Sequence, residues 1–462
     1  MVKTSAPNTS LRPAHSLWVY ARAFWLMLFL FLCWHAPCIS APVHFQKGSL
    51  VRDCEIEDIL RSYLDPILIK AGLNPATVRM FLVIDPTINA LSAPGPLILV
   101  NTGLILRCTR AEELISVLAH ETGHVKGRHI LGRLEAFKKA TTPYLVSVGL
   151  GALLSILTQN PAGLLLGAGV GQSVATDSLL SFTRDQEMQA DIISFNLLNQ
   201  LGWPTTGTIT LFQKIEDLNA LLYSPQRNYM QTHPSGPERI RMAQKANQSE
   251  HHLPPRFQQS FDRLKVKIFA YQNKPDAVRK DAFVKKSPFK YYALAIADYR
   301  QGRFNQALHN LDHLKQTDHS PYISEFRAQI YFEQGQHNDA LKAINDALTH
   351  IKRPHASLYI LKARICLQMP SCDAPVEGLL RQAIYLEPFN AEPWYYLSIL
   401  ASRKHHEGEA LIYLTEHYVR LGDIKRAKAC LTKAKCVIKP KDPMFVHLKD
   451  LDQAIAYAAR IT

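Results

Sequence analysis

The sequence predicts a mainly helical α+β fold in two parts. A first domain sets a small sheet ahead of a helix carrying clustered histidines; an all-α domain of repeated helix pairs follows. Three observations predict this. His120-Glu121-Thr122-Gly123-His124 lies within 112–125, where Val117, Leu118 and Val125 give a helical apolar stripe. Short β-rich runs broken by Pro, Gly and Asn precede it. From about residue 289 the chain repeats, with 33 positions between Gly302 and Gly335 and again between Ala307 and Ala340.

In chain order, residues 1–40 read as a signal peptide. Lys3, Arg12 and Arg22 stand there without any acid, 24–34 is apolar, and small residues near Ser40 and Ala41 suit cleavage. The apolar run is shorter than the ~20 residues of a spanning helix. The alternatives are an uncleaved anchor in the inner membrane and an organelle transit peptide, which the strong apolar run disfavours.

The segment 41–245 reads as the first folded domain. Residues 55–73 form a helix with Ile56, Ile59, Leu60, Tyr63 and Leu64 on one side. A short strand at 80–84 ends at Asp85-Pro86. Two more, 88–93 and 96–101, meet at Pro94-Gly95. In the histidine helix Glu112 and Glu113 occupy the first turn, and Thr109 is placed to cap it. Gly123 inside this helix is unfavourable by about 1 kcal/mol relative to Ala. A packing reason would explain it: a second backbone comes close there.

Within 142–180, Tyr144 to Leu157 is almost wholly apolar and Ala162 to Val170 is rich in Gly, Ala and Leu, with Asn160-Pro161 between the two arms. They read as a buried helical hairpin, or as an apolar flap, 142–172, that touches membrane or substrate. Residues 246–288 read as a connector with a short helix near 261–271. The remainder, 289–462, resembles tetratricopeptide helix pairs, whose period is about 34 residues and whose stacks present a concave surface to peptides or proteins.

The formal net charge is +14. The basic residues are scattered and no aromatic-interleaved basic strip accompanies them, so nucleic acid is not an expected partner. Beyond the leader stand Cys54, Cys108, Cys366, Cys372, Cys430 and Cys436, none at CxxC spacing. One or two disulfides are expected among the last four, with Cys54 and Cys108 free and buried.

His120 and His124, four apart on a helix, share a face and reach one metal ion, with Glu121 beside a bound water. A catalytic zinc site needs a third protein ligand. Glu187, in Arg184-Asp185-Gln186-Glu187-Met188-Gln189-Ala190-Asp191, is the best candidate. Asp191, one turn on, would hydrogen-bond a ligand histidine. His129, five after His124, falls off the ligand face and reads as structural.

These residues carry a resemblance. The His120–His124 motif with Arg128-His129, the 184–191 segment, and Thr232-His233-Pro234 with Arg239-Ile240 resemble the HtpX/CaaX-protease class of gluzincin metallopeptidases. With the export signal and repeat tail, the chain is similar to the BepA-type periplasmic peptidases of outer-membrane assembly. The segments 88–95 and 100–104 also fit that group. The resemblance covers about 50–245 closely and the tail only in architecture. It implies one Zn2+ per chain held by His120, His124 and Glu187. It implies His233 as a displaceable occupant of the ion's open position. Arg239 would stabilise developing negative charge or tie this loop to the site. Gln189 departs from the pattern, since many relatives carry a second acid there.

The expected function is therefore an exported, periplasmic zinc endopeptidase acting on misfolded or stalled polypeptides in outer-membrane protein assembly, its repeats binding assembly machinery or substrate. Two rivals remain. One is a chaperone or adaptor whose peptidase stays latched. The other is an integral inner-membrane protease, which needs more spanning helices than the chain offers.

Overall fold

The computed structural model describes residues 47–93, 95–129, 183–222, 233, 237–248, 250–314, 320–372 and 374–461. The expected signal peptide, the apolar segment 142–180, and Pro94, Thr232, Pro234 and Gly236 lie outside the described residues.

In the sheet, three strands carry β-branched or aromatic residues, while Ala90-Leu91-Ser92-Ala93 of the remaining one has none and is held by pairing. Its strands are β1 (Leu50–Val51), β2 (Arg79–Val83), β3 (Ala90–Ala93) and β4 (Leu97–Asn101). Their order is β1-β2-β4-β3, with β2 and β4 parallel and both outer strands antiparallel to their neighbours. β3 is thus an edge strand of the described sheet. Pairing Ala90 with Val100 and Ala93 with Leu97 sets its register.

Around the sheet pack α1 (Cys54–Lys70), α2 (Thr102–Arg107), α3 (Ala111–Lys126), α4 (Arg184–Gln200), α5 (Thr206–Leu222) and α6 (Pro237–Ala246). Leu60, Tyr63, Leu64, Ile67 and Leu68 of α1 share one core with Ile98 and Val100 of β4, Leu114 and Leu118 of α3, and Phe212 of α5. The expected Thr109 cap is not used: Arg110 is the N-cap of α3, without a side-chain bond. Glu113 reaches back to accept from the Thr109 N–H at 2.8 Å and pairs with Lys214 at 2.5 Å. Reaching back satisfies an N–H ahead of the helix start, and Lys214 neutralises the carboxylate.

Residues expected as a connector hold α7 (Pro255–Gln272), α8 (Pro275–Lys280) and α9 (Ala282–Lys286). α7 is longer than its sequence suggested because it is buried on two faces. Phe257, Phe261, Leu264 and Ile268 enter the first core, while Val266 and Ala270 enter a second with Tyr292, Ile296 and Phe326.

The repeats run through α10 (Lys290–Tyr299), α11 (Phe304–Asp312), α12 (Pro321–Glu333), α13 (His337–His350), α14 (Ala356–Cys366), α15 (Val376–Leu386), α16 (Glu392–Arg403), α17 (Glu407–Leu421), α18 (Ile424–Val437) and α19 (Phe445–Ile461). Each packs on the next in line. Gly302, Gly335 and Gly422 turn the chain between helices at φ 69°, 73° and 68°. His405 occupies the corresponding place between α16 and α17 at φ 59°, a conformation glycine adopts far more readily.

Cys366 and Cys372 form a disulfide. Cys430 and Cys436 are unpaired, being six apart along one helix and so on divergent sides. Cys54 and Cys108 are free and buried, as expected.

α1 is clasped by the repeats along its length from Glu55 to Asp65. Tyr292 donates to Glu55 Oε2 at 2.6 Å and Tyr322 to Asp58 Oδ2 at 2.7 Å. His355 lies 3.1 Å from Asp58, and Arg353 pairs with Asp65. Arg52, just before α1, pairs with Glu387. Among the described residues, no helix is long and apolar enough to cross a membrane.

Candidate metal centre

Two crossing helices bring the site together. α3 carries His120, Glu121 and His124; α4 carries Glu187 and Asp191. Thr183 caps α4 in a reciprocal box with Gln186, which fixes where the helix starts and hence which face the two acids share. The expected close approach at Gly123 is present: a Cβ there would lie 2.6 Å from Ala190 O and 2.9 Å from Ala190 Cα.

Four ligand atoms converge. His120, His124, Glu187 and His233 each present one, all within 4.8 Å of one another, and all four residues are buried. His120 Nε2 and His124 Nε2 stand 3.0 Å apart, and each lies 3.3 Å from a Glu187 oxygen. His233 Nδ1 lies 3.3 Å from His120 Nε2 and 3.0 Å from Glu187 Oε1. Two atoms bonded to one tetrahedral zinc at 2.0–2.1 Å stand about 3.3 Å apart, so the spacing fits such an ion.

The outer nitrogens face acceptors. His120 Nδ1 is 2.8 Å from Asp191 Oδ1, and His233 Nε2 is 3.2 Å from the Ala90 carbonyl. With the outer N–H groups so directed, a neutral imidazole presents a lone pair inward, and lone pairs packed this closely repel unless a metal ion or a proton lies between them. Glu121, Glu187 and Asp191 are buried here with one guanidinium, that of Arg239, so carboxylates outnumber the fixed cation and the cluster suits a further positive charge.

Arg239 is 4 % exposed and settles between the carboxylates, 2.7 Å from Glu187 Oε2 and 2.6 Å from Asp191 Oδ2. Burial would lower the His120 pKa, but Glu187 and Asp191 outweigh it and raise it to about 9. Burial, helped by His120 and His233, holds His124 well below its usual range. Burial alone would raise Glu187, yet His120 and His233 keep it far below the carboxylate range. Asp191 is lowered too: burial opposes this, but His120 and Arg239 prevail.

Glu121 is fully buried beside the cluster. Its Oε2 accepts from Ser92 Oγ at 2.8 Å; its Oε1 takes no hydrogen bond among the described residues and lies 3.4 Å from His233 Nε2. Ser92 is not marked in the sequence, because a serine in a short strand signals nothing until the strand is placed beside α3. His129, expected off the ligand face, comes back toward the cluster. His129 Nδ1 lies 3.0 Å from His124 Nδ1.

Comparison with known proteins agrees with this geometry. Residues 55–247 match Peptidase family M48. The "Beta-barrel assembly-enhancing protease" of Yersinia pestis is 24% identical over 88% of this chain and 83% of its own length. The protein of that name from Escherichia coli (strain K12) is 23% identical over the same shares, 88% and 83%. "Mitochondrial metalloendopeptidase OMA1" of Schizosaccharomyces pombe is 29% identical over 38% of this chain and 49% of its own length.

Proposed function

From an M48 metallopeptidase domain over residues 55–247, we propose that this chain is an exported zinc endopeptidase. It acts on misfolded or stalled polypeptides during outer-membrane protein assembly, in the periplasm. The observation that carries the reading is the buried convergence of His120, His124, Glu187 and His233 beside Glu121. The names of the relatives, which span most of this chain, support the assembly role. The proposed organisation is a leader over 1–40, a peptidase domain over 41–245, a linking segment over 246–288 and partner-binding repeats over 289–462.

His120, His124 and Glu187 would hold one zinc per chain. When bound, zinc supplies a Lewis acid that acidifies water and polarises a carbonyl. Glu121 is the base: its carboxylate takes the proton of the attacking water and returns it to the leaving amide nitrogen. Asp191 orients His120, and Arg239 holds the Glu187 and Asp191 carboxylates in place. Of the two roles open for Arg239, its contacts favour positioning over direct stabilisation of a developing charge. An extended substrate would add to β3 as a further strand through backbone hydrogen bonds, which asks little of its side chains.

His233 is the proposed latch. Its Nδ1 points into the cluster while its Nε2 contacts the Ala90 carbonyl of the same edge strand. Substrate must displace it from both. That double contact also favours a second reading, a chaperone or adaptor that stays latched most of the time while its repeats engage assembly machinery. Peripheral membrane contact through 142–172 belongs to either reading; loss of liposome flotation on deleting 150–172 would support it.

The test is zinc content and casein cleavage by residues 41–462, wild type beside His233→Ala. A zinc-bearing protein whose cleavage rises in the variant supports a latched peptidase. Unchanged or lower activity removes the latch, and no cleavage by either protein favours the adaptor.

A further inference from the structure

We propose that His129 is a positioning residue that aims His124 at the metal, and that Gln189 sets the tautomer in which it does so. The inference rests on reading His124 as a ligand through Nε2.

A chain of three side chains runs outward from the cluster. His124 Nδ1 lies 3.0 Å from His129 Nδ1, and His129 Nε2 lies 3.2 Å from Gln189 Oε1. Binding a metal through Nε2 leaves the His124 proton on Nδ1, so His124 must donate. His129 Nδ1 must then accept, which places the His129 proton on Nε2. That N–H needs an acceptor, and the Gln189 amide oxygen is one. The opposite orientation of the Gln189 amide would reverse every donor and leave His124 Nε2 protonated. Metal binding therefore selects a single proton arrangement along the chain.

The backbone is built to bring His129 back. α3 ends at Lys126, and Arg128 then takes φ 53°. That left-handed conformation costs a non-glycine residue about 1–2 kcal/mol. Gly127 must lack a side chain, since a Cβ there would stand 2.3 Å from His129 Nε2 and 2.7 Å from Cε1. A glycine and a strained arginine together fold the next residue under the helix end, against His124. The two histidines of α3 are thus held by different chemistry: a carboxylate behind His120, a neutral imidazole and amide behind His124.

The test is zinc affinity of the full chain, measured by competition with a chromophoric chelator. Melting of the chelated protein serves as the folding control. His129→Ala should weaken zinc binding about 10–100-fold, the range for a group that orients a ligand histidine. His129→Gln should recover most of that, because its amide oxygen can accept from His124 Nδ1–H. Gln189→Ala, at an exposed position, should weaken binding several-fold. In zinc-loaded protein, imidazole nitrogen shifts should report His129 protonated at Nε2. The proposal is overturned if folded His129→Ala binds zinc within twofold of wild type, if His129→Gln is as weak as the alanine variant, or if Nδ1 carries the proton. A folded wild type that binds no zinc defeats instead the ligand reading on which the proposal stands.

Discussion

The α1–repeat junction and the candidate metal centre both bury charge, and they are balanced in opposite ways. At the α1–repeat junction each carboxylate meets a cation. Glu55, fully buried, pairs with Arg263 and with Lys267 at 2.9 Å, and Asp53 lies 2.7 Å from Lys267. A third acid, Glu325, is pushed by burial to about 8 and is protonated at neutral pH. The junction closes without outside charge. The candidate metal centre does not: Glu121, Glu187 and Asp191 are buried with one arginine, and three imidazoles converge with Glu187 so closely that a metal ion, or a proton on His120, is needed among them. Burial and charge alone therefore do not mark a functional site. What separates the two is the uncompensated surplus, which asks for a cation in one cluster and is absent from the other.

The sharpest way to break this contrast is Glu121→Gln. It should lower casein turnover by about 10²–10⁴, the usual contribution of a positioned base. Zinc content and melting should stay near wild type; retained proteolysis would remove Glu121 from its role. The counterpart at the junction is Glu55→Ala, which takes the shared carboxylate from buried Arg263 and leaves Lys267 with Asp53 as its carboxylate partner, and it should cost about 3–5 kcal/mol of stability. Denaturant melts would register it, and the zinc affinity of the surviving folded protein should be unchanged.

Acidity separates the clusters further. At the junction, burial would raise Glu55, but Arg263 and Lys267 hold it at about 2. Its depressed value means its stabilisation is full above the unfolded carboxylate range and is lost as pH falls toward 2. His355 moves the other way: burial opposes the shift, yet Asp58 and Glu57 raise it to about 9. Its contribution, at most about 3 kcal/mol, is full below the unfolded histidine range and is lost as pH rises through 9. Melting temperatures of wild type and His355→Asn across that upper window should converge as pH rises; a constant gap would count against the interface pair.

The smallest expected effect is Gly123→Ala. Its Cβ would press on the Ala190 backbone, and overpacking of that kind costs about 1–3 kcal/mol. Because the contact lies where α3 crosses α4, zinc affinity should fall together with stability. A change in stability alone would detach the crossing from the ligand geometry.

Much of the site was legible because its signals are local. The spacing of His120 and His124, the acids one turn apart at Glu187 and Asp191, and Gly123 in mid-helix each imply geometry within a single element. Three of the four described strands, β2, β3 and β4, likewise fall within two residues of their expected bounds, while the two-residue β1 is too short to leave a pattern. What was not legible depends on the chain turning back or being buried twice. His129 leaves the ligand face if the helix continues; it returns only because Arg128 is left-handed. α7 reads as a connector because its apolar residues are divided between two cores. Arg239 resolves onto Glu187 and Asp191 only once α6 is placed. His405 hides a repeat turn because it stands where the other turns have glycine.

The measurement that tests the account most directly is the zinc stoichiometry of purified full-length protein, wild type beside His120→Ala, by elemental analysis. The excess of buried carboxylates over arginine, around four converging ligand atoms, predicts one zinc per wild-type chain and none in the folded variant. A folded wild type without metal, or a variant that still holds one, would contradict it.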